Sequence, residues 1–300
     1  ITLPVNWKQP EQSETAFDLR VSGLLGGHSG GDINKQRANA NKLLARILDE
    51  IQRQFPLRLS ALQGGTARNA IPREAQAIFT CSKEKAEVCQ RVFSKLAADI
   101  QNELGGLNSP EPSVSLTLTP VAVDGLRVIE VAETVTALRL LVSLPQGVYA
   151  MSAAIPGFVE TSNNIGIVEL KEDGLLIVSN HRSAVFSRLE ETISRVESLA
   201  WLAGAVTERT KLFPPWQPDM SSVLLEKCIE TYQAVLGETP SVQLAHGGLE
   251  CGVISERCGG MDTLSLGPTV ENPHSPDECM FIPSLARTWL FLTALLSAID

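Results

Sequence analysis

The sequence predicts an α/β protein in two parts, and three observations predict it. Short runs alternate apolar and polar residues, longer runs repeat apolar residues at helical spacing, and a proline-rich break divides the chain. Residues 17–24 open the first part, with Phe17, Leu19 and Val21 set against Asp18, Arg20 and Ser22, the period of a half-buried strand. After the Gly26–Gly31 loop, Ala40, Leu43, Leu44, Ile47, Leu48 and Ile51 predict an amphipathic helix over Ile33–Phe55. Strands are predicted at Leu57–Gln63 and Glu74–Cys81, separated by the Gly64-Gly65 turn. Val88, Val92, Phe93, Leu96, Ile100 and Leu104 mark a second helix stopped by Gly105-Gly106, and Ser113–Val121 closes as a strand. That order, β-α-β-β-α-β, is the ferredoxin-like arrangement.

A helix at Val131–Val142 follows, then strands Phe158–Leu170 and Leu175–His181 joined through Asp173-Gly174, a strong hairpin signal. Phe186, Leu189, Ile193, Val196 and Leu199 set a helix over Ser183–Gly204. Pro214–Asp219 holds three prolines and reads as a linker. Domains are therefore expected at 1–213 and 214–300. Beyond the linker the pattern predicts a helix Met220–Leu236, a strand Ser241–Ala245, a helix start at Gly247–Ile254, a strand Thr263–Leu266, a loop Gly267–Glu278 and a helix Pro283–Ile299. Two strands are fewer than an α/β sheet usually has, which suggests that further strands come from elsewhere.

The 300 residues are 44% hydrophobic and 20% charged, an ordinary globular balance. A net charge of −9 argues against nucleic acid and anionic membrane as partners. No apolar run reaches the length of a membrane-spanning helix. The chain starts Ile1-Thr2-Leu3-Pro4, without an initiator Met or a signal peptide, which reads as processing or excision from something longer. Six cysteines without a Cys-x-x-Cys pair read as buried free thiols of a reducing compartment. Trp201, Trp216 and Trp289 read as core or linker packing.

Five places along the chain offer chemistry. In Gly267–Glu278, His274 stands among prolines just past a strand end, where a held imidazole suits a metal and Asp277 or Glu278 can orient it. A surface histidine in a Pro-rich turn explains the same residues equally well. Gly26-Gly27-His28-Ser29-Gly30-Gly31 presents His28 between a strand and a helix, or is simply a Gly-rich turn capped by Ser29. Gly247-Gly248-Leu249-Glu250-Cys251-Gly252 sets backbone amides at a helix start. Its rival reading, Cys251 as nucleophile with His246 as base, has no third orienting residue. Asn69 offers a side-chain amide and Arg182 a guanidinium for a carboxylate, against the plainer readings of a turn Asn and a surface Arg.

The strings GGHSGG, GGTARNAIPREA, GLECG and GPT…PHSPDE stand in this order along the chain, and together they resemble the aminoacyl-histidine dipeptidases, or cytosol non-specific dipeptidases. The family is related to carnosinase within the two-zinc exopeptidases. The resemblance implies a ferredoxin-like, extended lid and dimerisation domain followed by the C-terminal part of a zinc-exopeptidase α/β catalytic domain. It implies two Zn²⁺ ions, with manganese or cobalt as alternatives, a dipeptide substrate, a homodimer formed through the lid, and a cytoplasmic setting. By the same resemblance His274 is a zinc ligand and His28 polarises the scissile carbonyl, reaching a neighbouring subunit's site. Asn69, Arg182 and the Gly248 backbone hold substrate. The family's His-x-Asp motif, its other metal ligands and its general-base Glu have no match here, so the chain is expected to be an inactive piece of a dipeptidase. A related tripeptidase, an acyl-amino-acid deacylase and a non-catalytic dimerisation module are the competing readings.

Overall fold

The computed structural model describes residues 1–105, 111, 113–153, 155–210, 214, 216, 219, 221–243, 246, 250–271 and 278–299. They form two compact units, one of residues 1–182 and 187–210, the other of 183–186 and 211–300.

The first unit begins with β1 (Thr2–Leu3), β2 (Trp7–Lys8), β3 (Glu14–Ser22) and β4 (Gly27–His28). Helix α1 (Ala40–Gln54), β5 (Leu57–Gly64), β6 (Ala70–Ile71), β7 (Ala75–Ser82), α2 (Ala86–Leu104) and β8 (Ser115–Val121) follow. Then come β9 (Val128–Ile129), α3 (Val131–Ser143), β10 (Gly147–Met151), β11 (Val159–Lys171), β12 (Gly174–Ser183) and α4 (Phe186–Leu202). The main sheet runs β1-β12-β11-β5-β7-β3-β8, with β10 also on β11. The stretch β5-β7-β3-β8 is fully antiparallel, which is the ferredoxin-like order expected from the sequence.

Its core follows from the strand period. Phe17, Leu19 and Val21 are buried, and Phe17 stands opposite Phe79 in register with ring centroids 5.8 Å apart. Helix α1 lays Leu44, Ile47, Leu48 and Ile51 on this face, and α2 adds Cys89, Phe93, Ala97 and Ile100. Helix α1 starts at Ala40 and not at Ile33. Residues Ile33–Lys35 make only a 3₁₀ turn, Gln36 is left-handed at φ 55°, and the Asn39 side chain caps the helix by accepting from the Asn41 and Lys42 amides. Ser29 therefore does not cap it.

The second unit holds α5 (Val223–Leu236), α6 (Glu250–Arg257), β13 (Val270–Glu271), β14 (Cys279–Met280) and α7 (Ile282–Ala298). Cys228, Phe291 and Leu295 form its buried cluster, with Tyr232 edge-on to Phe291 at 5.2 Å. The strand expected at Ser241–Ala245 does not form at 241–243, Thr263–Leu266 is irregular, and the only described pairing is the two-residue β13-β14 ladder. Trp201 and Trp289 are exposed, at 77% and 67%, so neither is core packing. The buried-thiol expectation holds for Cys81, Cys89 and Cys228 but fails for the exposed Cys258 and Cys279. Among the described residues no helix is long and apolar enough to cross a membrane.

Candidate functional site

Three of the five candidate residues come together in the first unit. His28 lies in β4, which pairs antiparallel with β6 so that His28 stands opposite Ala70. Asn69 immediately precedes that partner, and its carbonyl accepts from the Ser29 amide at 2.8 Å. Arg182, near the end of β12, points its Nε and Nη2 at the Ser29 hydroxyl, at 3.4 and 3.3 Å. Ser29 is fully buried and thus ties the other three to one spot. Gly248 and His274 lie outside the described residues.

The His28 loop is held from several sides. The Gly31 amide donates to His28 Nδ1 at 3.1 Å, which leaves the imidazole proton on Nε2 as a donor. Asp32 accepts from the His28 amide at 2.8 Å and pairs with Lys35 and Arg37. Burial acts to raise the Asp32 carboxyl, but the Lys35 and His28 bonds and the Arg37 charge together bring it below its ordinary value. Arg37 also donates to the Gly26 carbonyl. Glu111 is fully buried and accepts from both ends of the loop, Leu25 N at 2.8 Å and Ala38 N at 2.9 Å. Such charge-assisted bonds to backbone amides fix a loop that its glycines would otherwise leave free.

Asn69 is placed by a close backbone approach. Gly65 has φ +73°, and a Cβ there would stand 1.9 Å from the Gly166 carbonyl of β11. Gly65→Ala is therefore expected to push the Asn69 loop off β11 and to cost more than about 1 kcal/mol. The check is a lowered urea midpoint together with faster amide exchange in that loop.

Electrostatically, Arg182 is the unusual member. It is half-buried, burial lowers its pKa, and among the described residues no carboxylate pairs with it. A desolvated guanidinium of this kind takes an external anion, and its planar fork fits a carboxylate. Beside Arg182 on β12, His181 Nδ1 is 2.5 Å from Asn163 Oδ1 of β11, and burial pushes the ring down to about 4 against a smaller opposing effect of Glu197. The ring is therefore neutral near pH 7. Among the described residues no group of three or more His, Cys, Asp or Glu side chains is arranged to hold a metal ion. The described donor set does not fit the metal centre that the resemblance implies.

Sequence reasoning missed Ser29 as the shared partner, Glu111 as the clamp, and the polar run Thr161-Ser162-Asn163-Asn164 inside β11. The last had a visible signal: five successive polar residues, Glu160–Asn164, inside a strand between Val159 and Ile165.

Comparison with known proteins agrees with the motif reading. Residues 19–107 match the family model of the peptidase dimerisation domain, M20_dimer. The cytosol non-specific dipeptidase of Escherichia coli K12 is 40% identical over 283 residues, covering 94% of this chain and 58% of the relative. The crystal structure of aminoacylhistidine dipeptidase from Vibrio alginolyticus superposes with a TM-score of 0.86 at 34% identity, covering 100% of this chain and 60% of that one. The chain thus spans about three-fifths of the length of the relatives it matches. The resemblance to aminoacyl-histidine dipeptidases is borne out, and so is the expected fold.

Proposed function

We propose that this chain supplies the substrate-holding side of a metal-dependent dipeptidase, with Arg182 gripping the carboxylate of a dipeptide. The observation that carries this is the Arg182 guanidinium, partly desolvated and without a carboxylate partner among the described residues, beside Ser29 and close to His28 and Asn69. Asn69 is the amide that orients the substrate backbone. His28, with its proton on Nε2, is the donor for the oxygen of the scissile carbonyl, where charge develops during hydrolysis. Gly248, through its backbone, and His274, as a zinc ligand, complete the reading from the resemblance. The relatives are named dipeptidases, one of them cytosolic, which supports a cytoplasmic dipeptide-binding role. The dimerisation-domain match supports a homodimer through the first unit.

The resemblance assigns this chain a single zinc ligand, His274, whereas a catalytic zinc takes about three protein ligands. The chain is therefore expected to bind dipeptides without turning them over. Calorimetric titration with an Xaa-His dipeptide, paired with a hydrolysis assay in added zinc, checks both halves. Absence of binding would remove the substrate-holding reading. Chelator-sensitive turnover would show that the chain carries its own catalytic centre.

A further inference from the structure

Strand β11 buries Thr161, Ser162, Asn163 and Asn164 in succession. A sheet interior accepts such side chains when their hydrogen bonds are met. Asn164 is 1% exposed, and its Nδ2 donates to the Ala70 carbonyl at 2.7 Å. Ala70 is the residue paired with His28, and it follows Asn69, whose own carbonyl holds the Ser29 amide. The β4-β6 ladder has only two residues in each strand, too few to hold itself together. The Asn164 amide is thus a tether from the main sheet to the ladder that carries His28 and adjoins Asn69.

The orientation of that amide is fixed in turn. Asn164 Oδ1 accepts from Gln146 Nε2 at 3.2 Å. Gln146 Oε1 accepts from the Ile165 amide at 2.7 Å and from Asn39 Nδ2 at 3.0 Å. Asn39 Nδ2 also reaches the Ile165 carbonyl at 3.0 Å, and Asn39 Oδ1 takes the Asn41 and Lys42 amides at the head of α1. The three carboxamides run in one direction, each oxygen filled by the next NH₂ group and the last by helix amides. Turning any of them over sets donor against donor or acceptor against acceptor. The relay has one orientation, and it ends as a donor at Ala70.

We infer that Asn164, locked by Gln146 and Asn39, is a positioning residue for His28 and Asn69. It sets how these two groups are presented and acts on substrate only through them. The inference rests on the reading of His28 and Asn69 as substrate-facing.

Asn164→Asp is the sharp variant, equal in size but unable to donate to the Ala70 carbonyl when ionised. Hydrogen exchange by mass spectrometry on the full chain is expected to rise roughly tenfold in peptides over 26–34 and 66–72, with β3 and β7 peptides unchanged. Carbon-13 labelling of the four histidines gives a second reading. The His28 ring signal, identified by its loss in His28→Gln, is expected to shift while that of His246 stays. Gln146→Leu breaks the relay one step back and is expected to act in the same direction, so the test survives if Asn164→Asp does not fold. Unchanged exchange in 26–34 and 66–72, or an equal rise across β3 and β7, would overturn the positioning role. No substrate enters the experiment, so its failure leaves the dipeptide-binding reading standing. Failure of the wild-type chain to bind dipeptide would strike that reading without touching the relay.

Discussion

Replacing Arg182 with methionine is expected to weaken binding of a free dipeptide about 100-fold while leaving its C-terminally amidated analogue unaffected. A bidentate, charge-assisted contact contributes about 3 kcal/mol to binding, which corresponds to that ratio. The comparison isolates the carboxylate contact as a thermodynamic cycle, because the amidated ligand lacks the charge that the guanidinium reads. Arg182→Lys keeps a charge but not the fork, so it is expected to fall between the wild type and Arg182→Met. Stability is expected to move the other way. In the folded protein the guanidinium is partly desolvated, and its described bonds are two long contacts to Ser29. An apolar chain of similar length removes that burden, so the melting temperature of Arg182→Met is expected to hold or rise. A fall in stability with unchanged dipeptide affinity would make Arg182 a structural residue and remove the carboxylate site.

The opposite movement of affinity and stability bears on what could be seen in the sequence. Local pattern was enough for the ferredoxin-like half. Phe17, Leu19 and Val21 alternate because one sheet face is buried, and the α1 and α2 stripes repeat because each helix covers that face. The glycines of the His28 and Asn69 loops were equally legible, since left-handed backbone and close approach leave a mark at single positions. The start of α1 was not, because Ile33 is buried in phase with the helix and only the Asn39 cap reveals the true boundary. The strands expected at 241–245 and 263–266 do not form in the described residues 241–243 and 263–266, for another reason. Apolar content gives a segment a preference, but a strand exists through its partner, and none pairs with the described residues of either segment. The exposed Trp201 and Trp289 show that apolar residues at helical spacing do not say which face is covered. Ser29, Glu111 and Asn164 were hidden by distance: the Asn164–Ala70 bond spans 94 residues and the Glu111–Leu25 bond 86. The residues proposed to face substrate carry local signatures here; of those that hold them in place, only the polar run around Asn164 carries one, and its partner 94 residues away is not marked by it.

Acidification supplies the second large effect. His181 has its folded-state pKa pushed down to about 4 by burial, from an unfolded value near 6.5. Between those values the unfolded chain binds the proton and the folded chain does not, so protonation favours unfolding. The stability that His181 contributes by remaining neutral is complete above pH 6.5 and is lost as the pH falls toward 4. The full interval amounts to about 3 kcal/mol, and the solvent contact that the ring keeps makes this an upper value. Glu197 works the other way, since its charge favours the protonated ring, and Arg209 holds the Glu197 carboxylate ionised through a 2.6 Å bond. Glu197→Gln is therefore expected to deepen the acid loss, and His181→Gln to flatten it. Both are read from urea unfolding of the first unit at a series of pH values between 4 and 7. The Nδ1–H of His181 bonded to Asn163 also predicts a locus for the change. Asn163 adjoins Asn164 on β11, so protonation that loosens this strand reaches the relay behind His28 before the β3-β7 core. Exchange near pH 5 is then expected to rise first over 26–34 and 66–72. A pH profile in His181→Gln that matches the wild type would place the acid sensitivity in another group.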